Sequence, residues 1–368
     1  MVKSVGVDKI MIAVVTILIL FGLIMVYSST MIIAKEKFGD SLHFLKRQII
    51  WLILGSLIFG FLASLKRPLF LERNFIYIFM FLTYLGLISV FFIGKINNSF
   101  RWIKLGNFSV QPSEFAKIAV VLYLAFSLTK KKSDVNDPKK LLMLLTPVII
   151  IELLILREPD FGTFTLILIV TVIMLFISGL KFSYLFGGFL FILPSLILVV
   201  KMNPDKMNRI LAFMNPEAFS STYGFQALQS VYAIGSGGIF GQGLGNSVQK
   251  LYFLPYAYSD FIFSIIGEEV GLIGCLLLIS LFFVFLVRGL NIAKMSGNSY
   301  TYLLVTGLTF MVVIQAMINI SVSIGLFPTK GIPLPFISNG GSSLISSLII
   351  AGIVLNVSRQ RKMVLLND

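Results

Sequence analysis

Apolar runs recur along nearly the whole chain, at about residues 10–33, 48–65, 74–94, 113–129, 141–156, 162–180, 183–200, 260–287, 300–325 and 342–358. Several reach or approach the roughly 20 residues that a helix rising 1.5 Å per residue needs to cross about 30 Å of hydrocarbon. Membrane β-strands, which show only about 10 alternating residues each, do not fit this pattern. It predicts an all-α polytopic membrane protein with about ten transmembrane helices, one membrane domain over residues 1–368. The first run follows Lys3 and Lys9. It is too long for the apolar core of a signal peptide and lacks a clear small-residue cleavage site, so it reads as an uncleaved first span.

Lysine and arginine orient the bundle. With the N-terminus inside, cytoplasmic segments collect 16 of them, including Lys130, Lys131, Lys132, Lys139 and Lys140, and the short external loops collect 9. An even span number with both termini cytoplasmic satisfies the positive-inside rule, which excludes long loops. The long stretch 201–258, between spans seven and eight, then lies outside as a large extracytoplasmic loop. Its Phe213, Phe219, Tyr223, Phe225 and Tyr232 suggest short amphipathic helices at the interface.

Composition agrees with the pattern: of 368 residues, 57% are hydrophobic and 12% charged, against about 25% charged in ordinary soluble domains. The net charge of +14 fits cytoplasmic loops facing anionic lipid, and no nucleic-acid partner is expected. Cys275 is alone, which rules out an intramolecular disulfide and a cysteine-based metal site. His43 is the one histidine, in a polar connection with Lys46 and Arg47, and receives no role.

Polar residues concentrate in three segments that open into spans. The densest runs from Gly237-Gly238 through Gly241, Gly243, Gly245, Lys250 and Leu254-Pro255 to Asp260 and Glu268-Glu269. The others are Arg101-Trp102 to Gln111-Pro112-Ser113-Glu114, and Pro328-Thr329-Lys330-Gly331 to Ser338 and Gly340-Gly341. Charges within a bilayer are expensive, at least about 2.5–3.5 kcal/mol each at the midplane, and so point to function. Asp260, isolated at the entry to the eighth span, reads as a functional candidate, with capping of that span as the alternative. Ser113 reads as a cap for the fourth span. Glu114 and Lys117, three residues apart, share a helical face where they can pair. The glycines either bring backbone N–H groups to a ligand or simply supply turns. Glu268 falls roughly on the Asp260 face, to tune that site or pair with a neighbouring helix. Glu158 and Asp160 beside Arg157 form a second polar site or an internally paired turn. No dinucleotide fingerprint or P-loop occurs, and no internal repeat of the transporter kind is visible.

Four ordered motifs together resemble the SEDS family of multi-pass peptidoglycan polymerases. They are Arg101-Trp102 with Gln111-Pro112-Ser113-Glu114 and Lys117; Glu158-Pro159-Asp160 with Gly162-Thr163; Gly241 to Ser247 with Lys250, Leu254-Pro255 and Asp260; and Pro328 to Ser338 with Gly340-Gly341 and Ser343. Gln249-Lys250, Gly267-Glu268-Glu269 and the Pro328-Thr329-Lys330-Gly331 form look more like the division member than the rod-elongation member. The chain departs from the usual pattern at Tyr256-Ala257-Tyr258-Ser259 and at Asn339.

The resemblance implies a glycosyltransferase that extends glycan strands from lipid II on the outer face of the bacterial cytoplasmic membrane, at the division septum. In that setting Asp260 is catalytic, as the general base. Lys330, Arg209, Lys250, Arg101, Lys117, Glu114, Gln111 and Ser338 serve substrate, and Glu268 and Asp160 support. It further implies a class B penicillin-binding transpeptidase as partner, alongside other divisome membrane proteins. No dedicated metal motif is visible, although Mg or Mn could bridge carboxylate and diphosphate. A lipid II flippase is the competing reading, and a scaffold the third.

Overall fold

A computed structural model describes residues 7–66, 68–94, 100–106, 108–130, 135–201 and 204–364. Lys3, Lys131 and Lys132 lie outside them. Each of the ten apolar runs is helical: α1 (Lys9–Phe38), α2 (His43–Ser64), α3 (Arg73–Ile93), α4 (Pro112–Lys130), α5 (Pro138–Arg157), α6 (Phe161–Ile177), α7 (Phe182–Lys201), α10 (Ile262–Lys294), α11 (Ser299–Ser323) and α12 (Gly341–Val364). Two more, α8 (Pro204–Met214) and α9 (Phe225–Gly237), fold within the 201–258 segment, where the aromatic pattern predicted short helices. Among the described residues, seven helices are long and apolar enough to cross a membrane: α1 to α4, α10, α11 and α12. Helix α6 is apolar but shorter. Helices of this length and hydropathy make the chain a multi-pass membrane protein.

Capping side chains set several boundaries. Asp8 accepts from Met11 N at 3.0 Å at the start of α1, Asp160 from Thr163 N at 3.2 Å at α6, and Asn298 from Thr301 N at 2.8 Å at α11. Each satisfies one N–H that the first helical turn leaves without a partner. Two expected caps are corrected. Helix α4 already begins at Pro112, and Ser113 is turned to Asp160 instead. Helix α10 begins at Ile262 with no side-chain cap, so Asp260 lies outside the helix and does not cap it.

Helices α4, α11 and α12 form the enclosed centre, while α2 and α3 keep apolar side chains such as Leu57, Phe61, Phe81 and Phe92 on the outside. Small residues explain the difference. Ala116, Ala119 and Ala125 on α4 and Ser346, Ser347 and Ala351 on α12 are buried, and small side chains let helix backbones approach closely in lipid. Helix α12 packs along α2, and α10 along α11.

The glycine cluster has a structural use. Helix α10 is interrupted at Gly271 (φ 71, ψ −169). The carbonyls of Glu268 and Glu269 accept instead from Gln242 N at 2.9 Å and Gly243 N at 3.0 Å, and Leu272 N donates to Gly238 O at 3.0 Å. The glycine-rich segment is thus docked into the break, where it satisfies backbone groups that would otherwise be buried bare. At Gly241 (φ 80) an added Cβ would lie 2.3 Å from Glu269 O. Gly241→Ala is expected to destabilise the protein by roughly 1–3 kcal/mol from the left-handed backbone alone. The check is thermal unfolding of the purified variant in detergent, and an unchanged midpoint would contradict this docking.

Candidate functional site

Four connecting segments meet at one end of the bundle: those between α3 and α4, α5 and α6, α9 and α10, and α11 and α12. Helix α11 gathers them. Asn319 Nδ2 donates to Asp260 O at 2.8 Å and to Ile332 O at 2.7 Å, and Gln315 Nε2 donates to Pro333 O at 2.8 Å. Ser338 closes the arrangement: its hydroxyl accepts from Leu334 N at 2.7 Å and donates to Ser259 O at 2.5 Å. Beside it, Asn339 N donates to Tyr258 O at 3.0 Å. The loop after α11 is therefore bonded directly to the residues before Asp260.

The Asp260 carboxylate lies next to Gly331, where an added Cβ would stand 2.9 Å from Oδ2. Burial raises its pKa to about 7, against the pull of Arg101 and the bond from Ser259, while Asp160 pushes it further up. Arg101 is held by the α5–α6 turn, donating from Nε to Glu158 O at 3.2 Å and from the guanidinium to Pro159 O. The side chain of Glu158 is fully buried with neither oxygen hydrogen-bonded. Burial, reinforced by Asp160 and opposed by Arg101, raises it to about 9, so it is neutral at pH 7. The expected internal pairing of this turn through Arg157 does not occur: Arg157 is exposed, and Arg101 supports the turn through its carbonyls.

Asp160 is the node of a second set. Its Oδ2 accepts from Gln111 Nε2 at 3.0 Å, Thr163 Oγ1 at 2.9 Å and Ser113 Oγ at 3.3 Å. Gln111 N donates to Ser342 Oγ at 3.0 Å, tying α4's entrance to α12. Lys330 reaches Thr165 Oγ1 at 3.4 Å, its pKa lowered by burial and held up by Asp160. Arg209 donates to Thr329 O at 3.3 Å. Asp260, Arg101, Asp160, Gln111, Lys330 and Arg209 thus stand around one polar region.

The arrangement matches a known family over almost its entire length. The family model of the FtsW, RodA and SpoVE cell cycle proteins matches residues 8–363. The chain belongs to the FtsW/RodA/SpoVE family. It is 39% identical over 360 residues to a protein named probable peptidoglycan glycosyltransferase FtsW from Trichlorobacter lovleyi, covering 97% of this chain and 94% of that one. It is 37% identical over 361 residues to stage V sporulation protein E of Bacillus subtilis, at 97% and 98% coverage. Among solved structures, a chain described under structural coordination of polymerization and crosslinking by a peptidoglycan synthase complex superposes with a TM-score of 0.76 at 26% identity, covering 97% of this chain and 98% of that one. The rod shape determining protein RodA of Thermus thermophilus superposes at 0.68, with the same identity and coverage.

Within this family frame, four of the expected site residues are tied into structural contacts, the expected Glu114–Lys117 pairing among them. Lys250 is buried in an ion pair with Glu269 at 2.7 Å and lies 3.3 Å from Ser28 Oγ on α1, which itself donates to Glu269. It fastens the loop to α10 and α1. Glu268 accepts from the Ser247 hydroxyl and from Val248 N at 2.9 Å, so it folds the glycine-rich segment. Glu114 and Lys117 pair at 2.7 Å, with Ser346 donating to Glu114 and Lys117 to Gln315 at 2.6 Å. Both are almost fully enclosed and act beneath the site, through Gln315, on the loop before Ser338. Gln315 and Asn319 were missed because single amides within an apolar run give no motif.

Removing one partner of a buried pair costs about 3–5 kcal/mol, because the other charge is left uncompensated. Lys250→Met is therefore expected to lower the unfolding midpoint, and Lys250→Met with Glu269→Leu to recover most of it. If Lys250→Met kept its midpoint but lost activity, Lys250 would belong to the site.

Proposed function

We propose that this chain is a peptidoglycan glycosyltransferase that polymerises lipid II into glycan strands at the outer face of the bacterial cytoplasmic membrane, for septal wall synthesis. The observation that carries it is the Asp260 carboxylate, uncapped and beside Arg101 at the mouth of α10, with Lys330 and Asp160 in the same polar region. The activity in the name of the Trichlorobacter lovleyi relative supports the reaction class. Ten spans with both termini cytoplasmic, and 201–258 outside, put every one of these segments on the face where a lipid-linked sugar is presented.

In this reading a sugar hydroxyl of one lipid-linked saccharide attacks the anomeric carbon of another. The new glycosidic C–O bond forms as the bond to the diphosphate breaks, with inversion. The hydroxyl proton passes to Asp260, and the leaving diphosphate takes the electron pair. Arg101, Lys330 and Arg209 stabilise the charge that develops there, the kind of fixed electrostatic help that is strongest in a water-poor site. Gln111 and Asp160 hold the entrance of α4 against α6, and Ser338 fixes the last loop. Among the described residues no group of three His, Cys, Asp or Glu is disposed to hold a metal. A Mg or Mn ion would have to combine substrate phosphates with one or two carboxylates such as Asp260 or Asp160. A crosslinking partner of the class B penicillin-binding type is part of the proposal, supported by the synthase complex in which the structural relative was solved.

The test is polymerisation of purified lipid II by the reconstituted protein with its cognate transpeptidase, whose own activity is blocked. Asp260→Ala and Asp260→Asn are expected to lose about 10²- to 10⁴-fold. Undiminished strands would reject Asp260 as base, and wild-type protein that moved lipid II between leaflets without polymerising it would make the chain a transporter.

The pH profile gives an independent check. A base works only when deprotonated, so the rate should rise with pH through about 7, the value to which burial brings Asp260. Arg101 lowers that pKa, so Arg101→Gln should move the acid limb to higher pH besides reducing the maximal rate. A limb that stayed in place would separate Arg101 from Asp260.

A further inference from the structure

Two features meet beside α6 and α8 that the reaction above does not fully use. The first is a group of cations. Lys206 Nζ lies 4.0 Å from the centroid of the Phe161 ring, at the first residue of α6. One turn along α8, on the same face, Arg209 donates to Thr329 O. The next residue in that loop, Lys330, reaches Thr165, one turn beyond Phe161 on α6. Lys206 and Lys330 therefore bear on the first turns of α6, and Arg209 on the loop that carries Lys330. Among the described residues none of the three is in an ion pair. Burial lowers the pKa of both Lys206 and Lys330, as expected for cations partly removed from water without a carboxylate in contact. A bound anion would relieve that penalty.

The second is an apolar cavity of about 230 Å³ that begins at Arg209 and Thr329 and is walled by Phe213, Tyr223, Leu228 and Phe327. Cations and cavity share Arg209 and Thr329. A ligand occupying both needs an anionic head joined directly to an apolar tail. The volume is below the roughly 300–1,000 Å³ of pockets that enclose a whole drug-sized ligand, so only the beginning of a long tail can be held.

We propose that Lys206, Arg209 and Lys330 bind the diphosphate of a polyprenyl diphosphate, and that the adjoining cavity takes the isoprene units nearest the head. This rests on the lipid II reading, and it adds Lys206 and the α8–α9 cavity to the substrate site. Phe161 keeps the Lys206 ammonium in position through the face of its ring. Helix α8 places Lys206 and Arg209 together, so the segment between α7 and α10 becomes part of the lipid-binding surface.

The experiment is direct binding of undecaprenyl diphosphate to the full chain in detergent, with inorganic diphosphate and phosphatidylglycerol as comparison ligands. Lys206→Ala should weaken undecaprenyl diphosphate about tenfold or more, the scale of one hydrogen bond to a charged group. Lys206→Arg should restore most of the binding, and Lys206→Gln serves if the alanine variant does not fold. Ala227→Trp, which fills the cavity, should weaken undecaprenyl diphosphate while leaving inorganic diphosphate unchanged. In polymerisation, KM for lipid II should rise in step with these constants. Unchanged binding in Lys206→Ala and Ala227→Trp would overturn the proposal. So would phosphatidylglycerol competing as strongly as undecaprenyl diphosphate, since the cations would then serve ordinary anionic lipid. Protein that bound undecaprenyl diphosphate as described but made no glycan would keep this site and discard the polymerase reading.

Discussion

One side chain holds the polar end of the bundle together: Asn319 on α11, which donates to the carbonyls of Asp260 and Ile332 at once. Those residues are 72 positions apart and belong to loops that have no helix in common. In a bundle surrounded by lipid, an irregular backbone segment survives only if protein satisfies its polar groups. A fully buried amide on a central helix does so for both loops, and fixes Asp260 relative to Lys330 and Gly331. Without that bridge, only the bonds from Ser338 to Ser259 O and from Asn339 N to Tyr258 O would join the two loops.

The same logic runs deeper along α11. Gln315, one turn below Asn319, connects the buried Glu114–Lys117 pair to Pro333 O. A buried ion pair is poor at adding stability, because desolvation offsets its attraction. What it can do is fix geometry: Lys117 accommodates only an oxygen at Gln315 Oε1, which orients the amide so that its N–H faces the loop. The pair therefore acts on the site from below, through one oriented amide, and this is the sense in which its charges serve the outer surface.

Much of this was legible in the sequence, and the failures have physical causes. Ten apolar runs gave ten helices because continuous hydrophobicity leaves a chain in lipid no other internally bonded form. Asp260, Arg101, Asp160 and Lys330 came together because each sits in a segment too polar to be buried without a partner. Lys250 misled because charge and loop position are the same for a ligand-binding lysine and for one that closes an ion pair with Glu269; only the course of the loop past α1 and α10 decides. The glycines left two readings open. Their spacing permits an open backbone cradle, but the break at Gly271 leaves helix carbonyls in need of donors, and the cluster supplies them. Lys206 passed unnoticed because its meaning depends on its ammonium reaching Phe161 at the start of α6, a contact no local pattern encodes.

The charge around Asp260 depends on a carboxyl that carries none. Glu158 is next to Arg101, yet it makes no hydrogen bond and burial keeps it neutral at pH 7. Were Glu158 ionised, Arg101 would be shared between two nearby anions and its hold on Asp260 would weaken. The guanidinium instead bonds backbone carbonyls of the α5–α6 turn, which fix its position without neutralising it. Its positive charge is left to act on Asp260. Burial pushes Asp260 up and Arg101 pulls it down, and the balance falls near neutrality. A carboxylate at the usual value would be too weak a base for a sugar hydroxyl, and one raised much further would be protonated when needed. Arg101 held in place but unneutralised is what keeps the proposed base between those limits.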